Sequence, residues 1–554
     1  MTSLPSEPKP ELQDTQVPQE PTSSSASVDE VAEEKAAAEA KEDDTQYPGG
    51  FKLAAIVAAL VLSIFLVSLD MTIVATAIPR ITDQFHSLDD VGWYGSAFFL
   101  TLASFQSTWG KAYKYFPLKW SFLLSIFIFE LGSLICGVSK DSTTLIVGRA
   151  IAGAGGAGIA SGAYTIIAFA APPQQRPAFT GILGATYGGA SVIGPLLGGV
   201  FTDHATWRWC FYVNLPIGGA SAFIIFLFFT APKAADPLKA TWKEKILQMD
   251  LIGTFTIMAG VVCYLLALQW GGLEKSWNNS TVIGTLIGFV LIIILFVFVE
   301  WYMAEKALLV PRILKKRGVA VGGVFIFFLA GGFFLYMYYL PIYFQSIFNV
   351  SASNSGIRNL ALILSCSIST IVSGILITIF GHPTPLLVLG GVIATIGAGT
   401  TYMLDIGSSS SHWIGFQIIL GIGVGLAIQV PIMAGQAAVE PKDISTVTAI
   451  ILFFQTLGGA FFVSAGESAF GNKMLGSLPI TVPGVNPALV LATGATELRK
   501  TFPADAIEGI MVSYMKGLHT AFALGIAACG VAAVVSVFAE WKSIKGKEVS
   551  AAAA

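Results

Sequence analysis

Runs of twenty or more mostly apolar residues recur along the chain, near 52–78, 91–113, 119–138, 143–171, 178–203, 210–231, 249–271, 280–302, 318–341, 354–380, 385–404, 412–438, 443–466 and 517–540. About 20 helical residues cross the hydrocarbon core of a bilayer. Inside that core the backbone satisfies its polar groups only as helix or closed barrel. Runs of this length therefore predict an all-α membrane protein with 14 transmembrane helices. Composition agrees: 54% of the 554 residues are hydrophobic and 12% charged, against about a quarter charged in soluble domains.

Charge is unevenly placed. Residues 1–48 hold twelve Asp/Glu and three Lys/Arg, a net −9, whereas the whole chain is −3, which leaves +6 for the remainder. Residues 1–50, acidic and rich in Pro, Ser and Ala, are expected to form a disordered, solvated tail. The first apolar run starts after this stretch and is expected to be a retained span, with no cleavable signal peptide before it. Lys111, Lys114, Lys119, Arg176, Lys233, Lys239, Lys243, Lys245, Lys306, Arg312, Lys315, Lys316, Arg317 and Lys442 fall in connections on one side. By the positive-inside rule that side is cytoplasmic, with both termini and the 541–554 tail. Candidate glycosylation sites Asn278, Asn279 and Asn349 fall on the other side. The segment 467–516 reads as a long external connection carrying short amphipathic helices.

An internal repeat orders the spans. Arg149-Ala-Ile-Ala-Gly153-Ala-Gly155 matches Gln417-Ile-Ile-Leu-Gly421-Ile-Gly423, and Tyr187-Gly188-Gly189-Ala190 matches Leu457-Gly458-Gly459-Ala460, each eight spans later. Parallel six-helix halves are a known transporter construction. An offset of eight implies an N-terminal bundle over 51–231, two inserted spans within 232–317, and a C-terminal bundle over 318–540.

Asp70 lies about nine residues, roughly 13 Å, from the end of its run at Pro79, and Arg149 about six residues, roughly 9 Å, from the start of its own. Carboxylates at such depth are costly and mark cavities, ion pairs or proton paths. Arg149 would favour the ionised form of Asp70 and loss of water the neutral form, the opposition a proton switch requires. A static pair that fixes packing is the plainer alternative. Glu130, also within a run, reads as a structural hydrogen-bonding group. Gly181, Gly194, Pro195, Gly198 and Gly199 read as a close-packed, bent hinge in the fifth span, with a plain glycine-rich packing face as the alternative reading of the glycines. Tyr338, Tyr339, Gln345, Gln417, Gln429, Phe454 and Gln455 are candidates to line a cavity for bulky, largely apolar ligands.

Other chemistry lacks support. Gly153-Ala-Gly155-Gly156-Ala-Gly158 fits a dinucleotide fingerprint but sits within a span, and no GxxxxGK[ST] occurs. The five cysteines show neither CxxC nor a His cluster, so no disulfide framework or metal site is indicated.

These motifs resemble the major facilitator superfamily, in its fourteen-span drug:proton antiporter branch. Leu69 to Pro79 is similar to that branch's first-span motif, Arg149 with Gly153 to its fourth-span motif, and Gly181-x8-Ala190-x3-Gly194-Pro195-x2-Gly198-Gly199 to its antiporter signature. Trp207 to Pro216 is similar to the segment that leads into the sixth span. Tyr339 to Gln345 and Asn486 to Arg499 resemble fungal pumps that export mycotoxins and other secondary metabolites. Gly110 and Lys119 match the superfamily's inner-gate loop, but Lys114 stands where an acid is usual and Pro117 where glycine is usual. The resemblance implies the major facilitator fold and a proton-coupled antiporter, not an enzyme, with Asp70 and Arg149 in proton coupling. It further implies export of a toxin, secondary metabolite or drug with no cofactor and no ATP. The expected partners are that substrate, protons and lipid, without nucleic acid, for a monomer in the plasma membrane or, alternatively, the vacuolar membrane. An importer or siderophore/amine carrier on the same fold is the alternative function.

Overall fold

A computed structural model describes residues 47–85 and 90–544. Residues 1–46 of the expected acidic tail and 545–554 of the C-terminal tail lie outside the described residues. The apolar runs emerge as long helices. In the first half these are α1 (Gly50–Phe85), α2 (Val91–Tyr115), α3 (Leu118–Val138), α4 (Ser142–Ala170), α5 (Arg176–His204) and the broken pair α6 (Trp209–Tyr212) and α7 (Asn214–Phe228). A short α8 (Trp242–Gln248) precedes α9 (Leu251–Trp270) and α10 (Ser280–Met303), and α11 (Pro311–Leu314) leads into the second half. There α12 (Arg317–Phe348), α13 (Ala352–Arg358), α14 (Leu360–Phe380), α15 (Thr384–Tyr402), α16 (Ser410–Ala427), α17 (Val430–Ala437) and α18 (Ile444–Thr481) follow. Two short helices, α19 (Pro487–Ala492) and α20 (Leu498–Thr501), lead to α21 (Ala504–Ser536).

Among the described residues, twelve helical segments are long and apolar enough to cross a membrane by length and composition. The other two of the fourteen runs form α2 and α5, which are 25 and 29 residues long but carry more polar residues and glycine. Packing explains that content. Helix α2 lies against α4 and α18, and α5 against α1 and α14, so their polar and small residues meet protein. Helix α10 is the opposite case: Ile287, Val290, Leu291, Ile294, Leu295, Val297 and Phe298 are all more than half exposed, as suits a helix whose surroundings are lipid.

Two seams join the halves, α2 against α18 and α5 against α14. The inserted helices α9 and α10 pair with each other, and α9 also touches α2 and α18. The repeat is visible in what its glycines face. A Cβ at Gly153 would strike Phe98 and Thr101 of α2, and one at Gly155 the backbone of Phe129 in α3. Gly421 likewise abuts Leu362 and Ser365 of α14, and Gly423 abuts Ala394 of α15. In each half the fourth long helix uses one glycine to approach the second and the next to approach the third. The other matched pair does not correspond: Gly188 faces Ser367 of α14, whereas Gly458 faces Phe327 of α12.

The external connection differs from expectation. Helix α18 continues to Thr481 and α21 starts at Ala504, so the connection is 482–503 rather than 467–516. Charged residues had masked the helix, since Asp505, Glu508 and Lys516 occupy exposed positions of α21 while Ile507, Ile510, Tyr514 and Met515 are buried. The short helices within it, α19 and α20, are present.

Candidate functional site

Asp70 and Arg149 meet inside the first bundle. Arg149 Nη1 contacts Asp70 Oδ2 in an ion pair, and the two side chains are 0% and 1% exposed. The pair is held from four helices. Arg149 Nε donates to the Tyr94 carbonyl of α2 at 2.8 Å, and its guanidinium lies over the Phe98 ring at 4.5 Å and the Phe211 ring at 5.9 Å. Asn214, the first residue of α7, donates through Nδ2 to Asp70 Oδ1 at 3.1 Å and to Ser133 Oγ at 3.1 Å. Both carboxylate oxygens are thus engaged, which a buried ion pair needs if its desolvation is to be offset. Protonating Asp70 would cancel the attraction for Arg149 while leaving the Tyr94 carbonyl and the two rings in place. The arrangement therefore has two electrostatic states available.

The small residues of α5 bring it against this region. A Cβ at Gly194 would collide with Thr72 of α1, and one at Gly198 would lie 2.5 Å from the Ile73 carbonyl oxygen. Gly181, near the other end, faces the Thr370 carbonyl of α14. The helix runs unbroken through Pro195 and Gly199. One helix therefore packs on the ion-pair helix at one end and on the other half at the other.

At the opposite end of the bundle the inner-gate residues separate. Gly110 abuts Ser445, Thr446 and Ala449 of α18. Lys114 Nζ pairs with Asp443 Oδ1 at 2.7 Å across the two halves. Arg312 Nη1 lies 2.9 Å from Asp443 Oδ2, while Arg312 Nε binds Glu305 Oε1 at 3.0 Å. Asp443 first, and then Glu305, hold the Arg312 guanidinium protonated beyond its ordinary range. Lys111 Nζ donates to the Glu305 carbonyl at 2.7 Å. Lys119 takes no part, since its Nζ donates to the Phe226 carbonyl at 2.6 Å. The base at 114, unusual for the motif, is matched by an acid on the other half.

The cavity candidates divide. Tyr338 is 55% exposed, and Gln345, Phe454 and Gln455 are half-buried. Gln345 donates to Ser355 Oγ, and Gln455 Oε1 has no hydrogen-bond partner among the described residues. The remaining three do not line an open space. Tyr339 is packed against Tyr338 and Phe470, and Gln429 is buried with its amide against Gly184. Gln417 is fully buried, and its Nε2 donates to the Arg358 and Trp413 carbonyls. The Gln417 amide nitrogen is thus spent on backbone carbonyls, which sequence spacing does not reveal.

Sequence reasoning missed Asn214, Glu467 and Asp443. Asn214 falls inside the Trp207 to Pro216 segment, where the sequence alone gives it no role. Glu467 falls in the expected 467–516 connection, yet it sits within α18, exposed, and within electrostatic reach of Tyr338 and Tyr339. The apolar run on either side of it, Phe461 to Phe470, was the available signal. Asn278 is exposed, Asn279 is half-buried with its Oδ1 accepting from Thr281 N, and exposed Asn349 ends α12. These lie at the far ends of α9 and α12 from the Lys114 cluster.

Residues 60–463 match the family model of the Major Facilitator Superfamily. The MFS-type transporter grgE of Penicillium sp is 50% identical over 507 residues, covering 92% of this chain and 90% of its own. The probable efflux pump gsfJ of Penicillium aethiopicum is 48% identical over 508 residues, covering 92% and 91%. The efflux pump roqT of Penicillium rubens is 44% identical over 487 residues, covering 88% and 90%. Two solved structures share the fold. One is a bacterial homolog to the human lysosomal transporter Spinster in its inward-facing, occupied conformation, with TM-score 0.54 and 16% identity over 88% of this chain and 97% of that one. The other is the proton:xylose symporter XylE, with TM-score 0.53 and 11% identity over 86% and 94%. By family match, by relatives aligned over nearly their whole length and by its all-helical fold, the chain belongs to the Major Facilitator Superfamily of membrane transporters.

Proposed function

We propose that this protein is a proton-coupled efflux transporter that exports a bulky, largely apolar small molecule, such as a secondary metabolite, toxin or drug, by alternating access. The observation that carries proton coupling is the buried Asp70–Arg149 pair, whose carboxylate is bound on both oxygens and whose cation has other acceptors to fall back on. A proton arriving at Asp70 competes with Arg149, and two states of different charge arrangement bind substrate differently. Relatives named as efflux pumps or probable efflux pumps support the direction. Tyr338, Gln455 and Glu467 are the open or half-open candidates for substrate contact.

In this reading all fourteen long helices cross the membrane, α2 and α5 included, and both termini face the cytoplasm. The six-helix bundles cover 51–231 and 318–540, with the inserted pair between them. The protein works as a monomer, without cofactor or ATP, in the plasma membrane. Lys114, Asp443 and Arg312 then close the cytoplasmic end, and the sequons face outward.

Accumulation of a fluorescent apolar dye, measured in cells with and without the protein at two external pH values, tests the reading. Lower accumulation with the protein, more so at acidic external pH, is expected, and Asp70→Asn should abolish the difference. Full, pH-dependent export by Asp70→Asn would remove the assignment, and raised accumulation would reverse the direction.

A further inference from the structure

The first bundle contains an acid that the ion pair does not use. Glu130 lies on α3, one turn before Ser133, whose hydroxyl shares the Asn214 amide with Asp70. Both carboxyl oxygens of Glu130 are shut off from solvent and have no hydrogen-bond partner among the described residues. The structural hydrogen bond expected from the sequence is absent there. The carboxyl occupies the space over Gly218 of α7, where a Cβ would overlap Oε1 and also approach Leu66 of α1.

The groups around it offer no second cation at this depth. Helix α4 contributes Arg149, committed to Asp70 and the Tyr94 carbonyl. Helix α6 contributes Cys210 and Tyr212, the latter donating to the Gly137 carbonyl. Helix α7 has no titratable side chain. On α2, Tyr94 sits beside Arg149, Tyr113 donates to the Gly158 carbonyl, and Lys111, Lys114 and Tyr115 lie at the gate end. On α3 itself Cys136 is buried and Lys119 is bound to the Phe226 carbonyl. Asp70 on α1 is within electrostatic reach and carries the same sign.

Among the described residues the first bundle therefore holds two buried acids and, at this depth, one guanidinium. That guanidinium neutralises Asp70, and an ionised Glu130 would be left without donor or cation, a state that buried groups avoid by taking up a proton. We propose that Glu130 is a second proton-binding site of the first bundle, holding a proton while Asp70 pairs with Arg149. The two acids exchange roles when the pair opens: an O–H bond forms on Asp70, the O–H bond of Glu130 breaks, and Arg149 balances whichever carboxylate is ionised. Proton count and charge are conserved in that step. Gly218 is what leaves room for the carboxyl. The inference rests on the proton-coupled reading and deepens it by naming where the proton resides in this conformation.

Infrared difference spectroscopy of the purified full-length protein in detergent tests this without any transported compound, so it fails or succeeds independently of the efflux assay. At neutral pH the wild type should show the carbonyl band of a protonated carboxylic acid that Glu130→Gln lacks. Asp70→Asn should lose the same band, because Arg149 is then free to pair with Glu130; a packing role would not link the two positions. Identical acid bands in wild type and Glu130→Gln would overturn the proposal. So would a Glu130 band that persists unchanged in Asp70→Asn, since the proton would then be independent of the pair. Should Glu130→Gln not fold, Glu130→Asp, which keeps a carboxyl, should displace the band, and an undisplaced band overturns the proposal equally.

Discussion

Arg149 is more constrained than its partner. Asp70 can lose its charge by taking a proton, but the guanidinium stays charged under all conditions a protein meets. Removing Asp70 therefore leaves a buried cation that retains the Tyr94 carbonyl and the faces of Phe98 and Phe211. Removing Arg149 leaves a carboxylate that can protonate. Breaking a buried pair from one side costs about 3–5 kcal/mol, so Arg149→Ala should lower the thermal unfolding midpoint of the detergent-solubilised protein sharply. Raising the acidity should recover part of that loss in Arg149→Ala, because the orphaned Asp70 is then protonated, and should recover none in Asp70→Ala. Unfolding midpoints measured across pH for both variants check this. Asp70 and Arg149 were legible in the sequence because a charge inside an apolar run is conspicuous. Asn214 was not, since an uncharged amide within an apolar run is less conspicuous than a charge until Asp70 Oδ1 is found 3.1 Å away.

At the scale of elements, α5 packs on both the ion-pair helix and the second half. Its glycines are not interchangeable, and the structure ranks them. A side chain at Gly198 would press on the Ile73 carbonyl of α1, whereas Gly189 has nothing within 4 Å of the position its Cβ would take. Overpacking of this kind costs about 1–3 kcal/mol. Gly198→Val should therefore reduce dye export severely at unchanged membrane expression, and Gly189→Ala should leave export within about twofold, a change worth under 0.5 kcal/mol. Equal effects of the two substitutions would contradict the packing. The sequence singled out Gly198 through its Gly-Pro-x-x-Gly-Gly motif but not the backbone it meets, because contact with a neighbouring helix depends on which face each glycine occupies. The same limit applied to Gln417 and Tyr339, which stand in cavity-like patterns but are spent on packing.

For the whole molecule, the two halves are locked at one end by Lys114, Asp443 and Arg312. Arg312 belongs to the connection that leads out of the inserted pair, so that connection is fastened to the same ion-pair cluster. Asp443→Asn should loosen the closed end. A membrane-impermeant thiol reagent applied from the proposed cytoplasmic side should then alkylate Ala449→Cys about tenfold faster, since a loss of only about 1.4 kcal/mol in the closed state is a factor of ten. The exchange Lys114→Asp with Asp443→Lys should slow alkylation again relative to Lys114→Asp alone, though Arg312, facing a lysine, will keep the rescue incomplete. Unchanged alkylation in Asp443→Asn would mean that helix packing at Gly110, not charge, closes this end.

Resemblance to a known family supplied the major facilitator fold, while the residues themselves determined that the chain is an all-helical membrane protein and which buried charges are exceptional. Those properties follow from local apolar length and from the penalty of charge in hydrocarbon, both of which are written in consecutive residues. Tertiary structure alone decided which acids have partners, that α18 carries Glu467 within a helix, that Lys114 meets an acid on the other half, and that Glu130 has no partner among the described residues. Pairing between positions tens to hundreds of residues apart depends on helix rotation and depth together, and no window of consecutive residues encodes either.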